Sequence, residues 1–158
     1  MFSATGTNFF IWITHEFIPT VFYGTFVYTK CTRHERQELW SALLEIRSTI
    51  GHHPWLLRGD FNTIASLEEY SGTSPQDIGA IVDFNSCLHS CLLKHARVVG
   101  SKYTWTGICN RPRIWKKLDH VLYNNEWEQH FPRLCVHHLN RTSLDHSPLL
   151  CLFDYPSR

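Results

Sequence analysis

The stretch that decides the fold reads Pro54-Trp55-Leu56-Leu57-Arg58-Gly59-Asp60-Phe61-Asn62. Its apolar first half suits a short buried strand, and the Gly-Asp pair after it is typical of a strand end. Asp60 and Asn62 lie two residues apart, so they project to the same side of the chain. A carboxylate there can orient or deprotonate water, and a carboxamide can donate to a phosphate oxygen. A plain turn also uses these residue types and stays open.

Two strands and a helix are predicted before this stretch. Residues 9–13 and 20–29 are rich in β-branched and aromatic residues, with a break around Pro19. Residues 32–35 read Thr-Arg-His-Glu, a capping-box pattern. Apolar residues then recur at helical spacing until Gly51, where we expect the helix to end.

After this stretch, the pattern predicts a polar loop, a second helix and a series of short strands. Ser74-Pro75 is a favourable helix start. The predicted buried stripe of that helix comprises Ile78, Ile81, Val82, Leu88 and Leu92. Short strands are predicted at 96–99, 103–106, 118–123, 134–138 and 149–153, with a short helix at 125–130. The chain therefore belongs to a mixed α/β class in which strands predominate.

Length, charge and cysteine content favour a single domain without a membrane span. The 158 residues suit one domain, and the formal net charge of +1 means that any nucleic-acid contact must come from a local patch. The six cysteines form no CxxC pair, so we expect reduced thiols in an intracellular protein of the nucleus or cytoplasm. Residues 8–28 are interrupted by His15, Glu16 and Pro19, so no membrane span is expected. The first residues do not resemble a signal peptide.

A second candidate cluster is Ser143-Leu144-Asp145-His146-Ser147-Pro148. On a loop, Asp145 can serve as a metal ligand or an orienting group, and His146 as an acid, a base or a phosphate contact. Asp119, at the start of a predicted strand, could hold His146 in one tautomer, as the carboxylate of a catalytic triad does. The alternative is an exposed pair in a solvated loop.

The third cluster is cationic. Arg111, Arg113, Lys116 and Lys117 surround Trp115 within seven residues. Cations around an aromatic ring suit contact with a nucleic-acid backbone, although a solvated charged loop explains them equally well.

In their order along the chain, these motifs resemble those of the endonuclease/exonuclease/phosphatase superfamily. The order is Gly-Asp-Phe-Asn at 59–62, Tyr-Thr-Trp at 103–105, Lys-Leu-Asp at 117–119 and Asp-His-Ser-Pro-Leu at 145–149. Five further segments resemble in particular the endonuclease domains of plant non-LTR retrotransposons. They are residues 27–31, 36–40, 54–57, 125–127 and 131–132. The resemblance covers about residues 20–153.

The resemblance implies a deoxyribonuclease I-like fold, a four-layer α/β sandwich of two packed sheets with flanking helices. It also implies hydrolysis of phosphodiesters with Mg²⁺ or Mn²⁺, with DNA as the expected substrate and no membrane partner. By the same resemblance, Asp60 would activate the attacking water, and Asn62 and Tyr28 would contact the scissile phosphate. Asp145, with Asp60, would lie at the metal end of the site, and His146, held by Asp119, would steady negative charge or manage a proton.

One feature of the family is missing from the pattern. Its members begin with a strand carrying an Asn and a second strand followed by a metal-binding Glu, whereas only 27 residues precede Tyr28 here. Glu16 is too close to Tyr28 to be that ligand. We therefore expect a single, N-terminally truncated domain with weak metal binding, weak or lost activity, and a partner that covers the incomplete sheet. The alternative is an inert remnant of a retroelement.

A third hypothesis is a metal-binding module. Cys87, Cys91 and His95 are spaced by four residues and would share one face of a helix. Buried cysteines on a core-facing stripe are the competing interpretation.

Overall fold

A computed structural model describes residues 3–5, 8–15, 18–108, 112–141 and 145–154. The helices of these residues are α1 (Gln37–Ile50), α2 (Ile78–Ser90) and α3 (Asn125–His130), with a 3₁₀ turn at Leu67–Glu69. The strands are β1 (Ser3–Thr5), β2 (Asn8–His15), β3 (Ile18–Tyr28), β4 (Trp55–Asp60), β5 (Tyr70–Ser71), β6 (Lys94–His95), β7 (Val98–Gly100), β8 (Trp105–Ile108), β9 (Arg113–Lys116), β10 (Asp119–Tyr123), β11 (Cys135–His138) and β12 (Leu149–Leu152). None of these helices has the length and apolar character needed to span a bilayer.

The main sheet has six strands in the order β1-β2-β3-β4-β10-β6. Strand β4 lies parallel to β3 and antiparallel to β10. The register pairs Asp60, the last residue of β4, with Tyr28 on one side and Asp119 on the other. Because laterally paired residues point to the same face of a sheet, these three side chains emerge together at one edge.

Helices α1 and α2 cover one face of the main sheet and enclose the largest core. Trp55 and Leu57 of β4 are fully buried there against Leu43 of α1 and Phe84 of α2. The indole Nε1 of Trp55 donates to Thr25 Oγ1 at 2.9 Å, so the buried ring leaves no unpaired donor. This core fixes the position of β4.

The opposite face of the main sheet packs on a second sheet, ordered β12-β11-β7. Val121 of β10 meets Val136 of β11 in the core between the two sheets. Helix α3 closes one end, where Trp127 and Phe131 pack edge-on against Phe22 of β3. A third sheet, β5-β9-β8, lies beside the edge that carries Asp60 and Asp119.

The face of the second sheet that points away from Val136 carries exposed apolar side chains. Val99, Leu150 and Leu152 are 47%, 42% and 50% exposed there. The partner expected to cover an incomplete sheet stays a prediction.

The predictions for α1 and β4 are confirmed. Gly51 ends α1 with a φ of +58°. Thr32 Oγ1 accepts from the amide of Glu35, as a capping box requires. The helix itself begins only at Gln37, because residues 33–36 form a turn first. Strand β4 is buried and ends at Asp60.

The predicted start of α2 is wrong, and of its predicted buried stripe only Leu88 is fully buried. Asp77, rather than Ser74-Pro75, caps the helix by accepting from the amide of Ala80 at 3.1 Å. The buried residues are Ala80, Phe84, Cys87 and Leu88, while Ile78, Val82 and Leu92 are more than half exposed. The face that carries Phe84 turns inward because its ring stacks on Trp40 and Phe61.

Several strand boundaries also differ from the prediction. Pro19 lies inside β3, which begins at Ile18, and β2 ends at His15. Strand β8 is displaced by two residues from the predicted 103–106. Residues 113–116 of the cationic cluster form β9, because pairing with β8 and burial of Ile114 order a segment whose polarity is also typical of a loop.

Gly59 offers a direct test of this architecture. Its φ is +142°, and a Cβ there would lie 1.9 Å from the carbonyl oxygen of Val27. We expect Gly59→Ala to lower the free energy of unfolding by more than about 3 kcal/mol, through backbone strain and overpacking. Gly51→Ala is the matched control, because Gly51 also has positive φ but nothing within 4 Å of its Cβ position. Equal losses in urea denaturation would refute the close approach of β3 and β4.

Candidate active site

Asp60 occupies the centre of the candidate site and is only 7% exposed. The amide of Asn62 donates to its Oδ1 at 2.8 Å. The short apolar run of β4 places the carboxylate at the sheet edge, and Gly59 lets β4 approach β3 closely enough to set it beside Tyr28. Tyr28 is 67% exposed, so its side chain is accessible from solvent.

Asn62 adopts the left-handed region with φ at +49°. Its Nδ2 donates to Thr29 O at 2.7 Å and to Asp60 Oδ2 at 3.3 Å. The carboxamide therefore ties the end of β3 to the carboxylate at the end of β4. Both hydrogens of Nδ2 are used within the site, and the bond to Asp60 is the longer one.

Asp119 and His146 form a second pair beside Asp60. Asp119 Oδ2 lies 2.8 Å from Nδ1 of His146, and Nε2 of His146 lies 3.8 Å from Asp60 Oδ2. The hydroxyl of buried Thr104 accepts from the amides of Leu118 and Asp119, which fixes the start of β10. An ionised Asp119 requires the proton on Nδ1, so in neutral His146 the lone pair of Nε2 faces Asp60.

The loop that carries His146 is held by β8. Trp105 and His146 form an antiparallel bridge, and the amide of Ser147 donates to Thr104 O at 2.7 Å. The indole of Trp105 donates to Asp145 Oδ2 at 3.2 Å, which holds the pKa of that exposed carboxyl below its usual range. Asp145 and His146 therefore reach one site by backbone pairing rather than by side-chain contacts alone.

Burial raises the pKa of Asp60 to about 6. The charges of Asp119 and Asp145 act in the same direction, whereas the amide of Asn62 and the charge of His146 oppose the rise. Asp60 is therefore mostly ionised at neutral pH but holds its proton more tightly than an exposed carboxyl.

His120, the next residue after Asp119, points to the helix-covered face and is 1% exposed. Burial lowers its pKa to about 3, and Nε2 lies 3.1 Å from Thr63 O. The ring packs against Phe61 and Phe84, so His120 is a neutral core residue below the site.

The fit of a metal ion is incomplete. Among the residues that the structure describes, no group of three His, Cys, Asp or Glu side chains is arranged to hold a metal ion. Asp145 and Asp60 offer carboxylate oxygens, the donor type that Mg²⁺ and Mn²⁺ prefer. These two carboxylates do not form a complete cage.

The predicted Cys/His module is wrong in its geometry. Helix α2 ends at Ser90, and His95 lies in β6, so the three residues share no helix face. Cys87 and Cys91 are buried in the core enclosed by α1 and α2.

The cationic cluster divides into separate contacts. The guanidinium of Arg113 lies 5.8 Å from the centroid of the Trp115 ring. Lys116 lies over the ring of Tyr70, and Lys117 pairs with Glu69 at 2.8 Å, where both side chains are mostly buried. The charge of Lys117 is therefore paired within the fold, and its predicted contact with nucleic acid stays a prediction. Arg111 lies outside the described residues.

Arg141 belongs to this surface, although it was missed by sequence reasoning. Its guanidinium lies 5.2 Å from the Trp115 centroid, and Nη2 donates to Thr104 O at 3.3 Å. Its only sequence signal is that it lies four residues before Asp145. We call Arg113, Trp115 and Arg141 the tryptophan surface.

Several solved structures have a similar architecture. The endonuclease domain of TRAS1, a telomere-specific non-LTR retrotransposon, superposes with a TM-score of 0.75 at 12% identity, over 97% of this chain and 66% of that one. The 3′-5′ exonuclease of Neisseria meningitidis gives 0.63 at 17% identity, over 94% and 80%. An endonuclease/exonuclease/phosphatase family protein from Leptotrichia buccalis gives 0.62 at 16% identity, over 94% and 54%.

The chain has the endonuclease/exonuclease/phosphatase fold. The mixed α/β class and the deoxyribonuclease I-like architecture expected from the sequence are confirmed. No family model and no curated protein sequence matches the chain. The chain spans less than two thirds of the length of several of these structures. In this chain, Asp60 and Asp119 end paired strands at one edge of the main sheet, and His146 lies beside them.

The raised pKa of Asp60 predicts a pH-dependent stability. The folded state binds this proton more tightly than the unfolded state, so stability falls as pH rises from about 4 to about 6, by up to about 3 kcal/mol. Asp60→Asn should therefore raise the free energy of unfolding at pH 7.5 and have a smaller effect at pH 4.5. The control is Asp154→Asn, because Asp154 is exposed. The same gain from Asp60→Asn at both pH values would contradict the raised pKa.

Proposed function

We propose that this chain hydrolyses phosphodiester bonds in nucleic acid. The observation that carries the proposal is the array of Asp119, His146 and Asp60, in which Nε2 of His146 and Oδ2 of Asp60 lie 3.8 Å apart. One oxygen atom of water or phosphate fits within reach of both groups. Structures with the same fold include an endonuclease domain and a 3′ phosphatase bound to a product DNA hairpin, which supports a nucleic-acid substrate.

Asp60 is the proposed base. Above a pH of about 6 its carboxylate is mostly ionised and accepts a hydrogen bond from the attacking water. As the water oxygen bonds to phosphorus, the P–O ester bond breaks and the water proton passes to Asp60. The amide of Asn62 holds Oδ1 at 2.8 Å, and Oδ2, which accepts the longer bond of 3.3 Å from Asn62 Nδ2, is the oxygen that faces the water.

His146 is the proposed partner for the developing negative charge. Asp119 fixes its ring through Nδ1 and stabilises the imidazolium form. In that form, Nε2 donates either to a phosphate oxygen or to the departing oxygen. Removal of such a positioned group typically costs about 10²–10⁴-fold in rate.

Tyr28 and Asn62 are the proposed phosphate contacts. Tyr28 stands beside Asp60 in the sheet and is accessible. Asn62 can exchange its longer hydrogen bond, to Asp60, for one to a phosphate oxygen while the shorter bond to Thr29 O holds the carboxamide.

Mg²⁺ or Mn²⁺ is the proposed cofactor, held weakly by Asp145 with a contribution from Asp60. When bound, the ion would stabilise negative charge on the phosphate. The small number of carboxylates also favours the alternative, in which the chain keeps the fold but catalyses nothing.

The tryptophan surface is the proposed contact for the nucleic-acid chain. Trp115 offers an aromatic face to a base, and the guanidiniums of Arg113 and Arg141 suit phosphates. DNA is the proposed substrate, whereas the charge of Lys117 is already paired with Glu69.

Nicking of supercoiled plasmid in Mg²⁺ and in Mn²⁺ tests the reaction. We expect Asp60→Ala and His146→Ala each to lower the nicking rate at least about 10²-fold, since each removes a proton-handling group. Asp154→Ala and His89→Ala are the matched controls, because both residues are exposed and outside the site.

Equal trace nicking by the wild type and all four variants would indicate contamination and would favour the inert alternative. Nicking by the wild type that survives only in the two controls would establish the site.

Binding of single-stranded DNA tests the tryptophan surface separately from cleavage. We expect Trp115→Ala to weaken binding by about 1–3 kcal/mol and Arg113→Ala to reduce the salt slope of log K by about one. Lys94→Ala removes the same charge from an exposed residue paired with Glu128, and should leave the slope unchanged. Fluorescence anisotropy across a salt series measures both quantities, and equal slopes for Arg113→Ala and Lys94→Ala would exclude this surface.

A further inference from the structure

Arg36 is a buried cation beside the site. The residue immediately precedes α1 and is 4% exposed. Its Nη1 donates to three backbone carbonyls, at 3.3 Å to Lys30 O, 2.6 Å to Cys31 O and 3.0 Å to Asn62 O. The guanidinium is therefore shared between two loops that are about 30 residues apart in sequence.

The burial of Arg36 is costly for the fold. Among ion pairs of the described residues, none includes Arg36. Its Nε is also buried with no hydrogen-bond partner in that part of the chain. A buried charge without a direct ion pair is unfavourable, so the contacts with the three carbonyls, together with the more distant carboxylates of Asp77 and Asp83, compensate for its burial.

The two loops that meet at Arg36 both carry proposed site residues. The first follows Tyr28 at the end of β3, and the second follows Asp60 at the end of β4. The sheet hydrogen bonding of these strands ends with the bond from the amide of Thr29 to Asp60 O. Beyond that point, the loops are joined by the side chains of Asn62 and Arg36.

The constraint acts most directly on Asn62. Its backbone is in the left-handed region, its amide donates to Asp60 and its carbonyl accepts from Arg36. Loss of the Arg36 contact would remove one of the contacts that hold the backbone of Asn62, whose amide orients the Asp60 carboxylate.

We propose that Arg36 is a positioning residue that locks the loop after β3 to the loop after β4 and so aligns Asn62 and Asp60 with the scissile phosphate. The alignment with phosphate rests on the proposed function, whereas the locking of the two loops does not. Arg36 contacts no reacting atom in this scheme.

The test compares Arg36→Met with Arg33→Met. Methionine keeps much of the length of the side chain but donates no hydrogen bond. Arg33 lies three residues away, is half exposed and pairs with Asp83, so its loss removes the same functional group from the same turn. Arg36→Lys keeps the charge and serves if Arg36→Met does not fold.

Hydrogen exchange is the readout that needs no activity. We expect Arg36→Met to accelerate exchange at the amides of Thr29 and Asn62 at least about tenfold, with exchange in residues 55–57 unchanged. Arg33→Met should leave all of these amides unchanged. Faster exchange throughout β4 would reveal general destabilisation and would overturn the positioning role, as would no change at Thr29 and Asn62.

Plasmid nicking then tests the catalytic consequence. We expect Arg36→Met to lower kcat about 10²-fold with a smaller change in KM, because misplaced groups act mainly in the transition state. Guanidinium at a few tens of millimolar, about a hundredfold below denaturing concentrations, should restore part of kcat in Arg36→Met only. If the wild type itself does not nick, the proposed function fails and hydrogen exchange alone decides the role of Arg36. A full kcat in Arg36→Met would overturn the inference.

Discussion

The close approach of β4 to β3 at Gly59 is the constraint on which the candidate site depends. A Cβ at this position would lie 1.9 Å from Val27 O, so only glycine allows the two parallel strands to keep their register. That register sets Asp60 beside Tyr28, and the antiparallel pairing with β10 adds Asp119 on the other side. Three side chains from distant parts of the sequence thus meet through the pairing of their strands.

Backbone groups hold the site together, but they leave two buried charges in unfavourable surroundings. Asp60 is buried beside two other carboxylates, and Arg36 is buried among carbonyls without a direct ion pair. Both arrangements disfavour the charged forms. The large core around Trp55 and Phe84, where hydrogen bonds and ring contacts are satisfied, offsets this cost and keeps β4 in place.

The sequence was most informative where structure is local. The short apolar run before Gly59 was enough to predict strand β4 and the position of Asp60 at its end. Gly51 was enough to predict the end of α1. The buried face of α2 was not predictable, because its periodicity does not reveal that Phe84 meets Phe61. The ion pair of Lys117 could not be predicted, because its partner Glu69 lies 48 residues away. The burial and contacts of Arg36 could not be predicted either, because its partners are backbone carbonyls.

Similarity of fold at 12–17% sequence identity does not establish an activity, which depends on a few side chains in the site. The charges of those side chains limit which ligands the site can bind. An entering phosphate adds negative charge beside Asp60 and raises its pKa further above about 6. A proton on Asp60 would block its proposed role as a base at neutral pH. Productive binding in the proposed reaction therefore requires positive charge to enter with the phosphate. A metal ion at Asp145, as proposed, would supply that charge. Binding of the proposed metal ion should thus be coupled to binding of the phosphate rather than precede it.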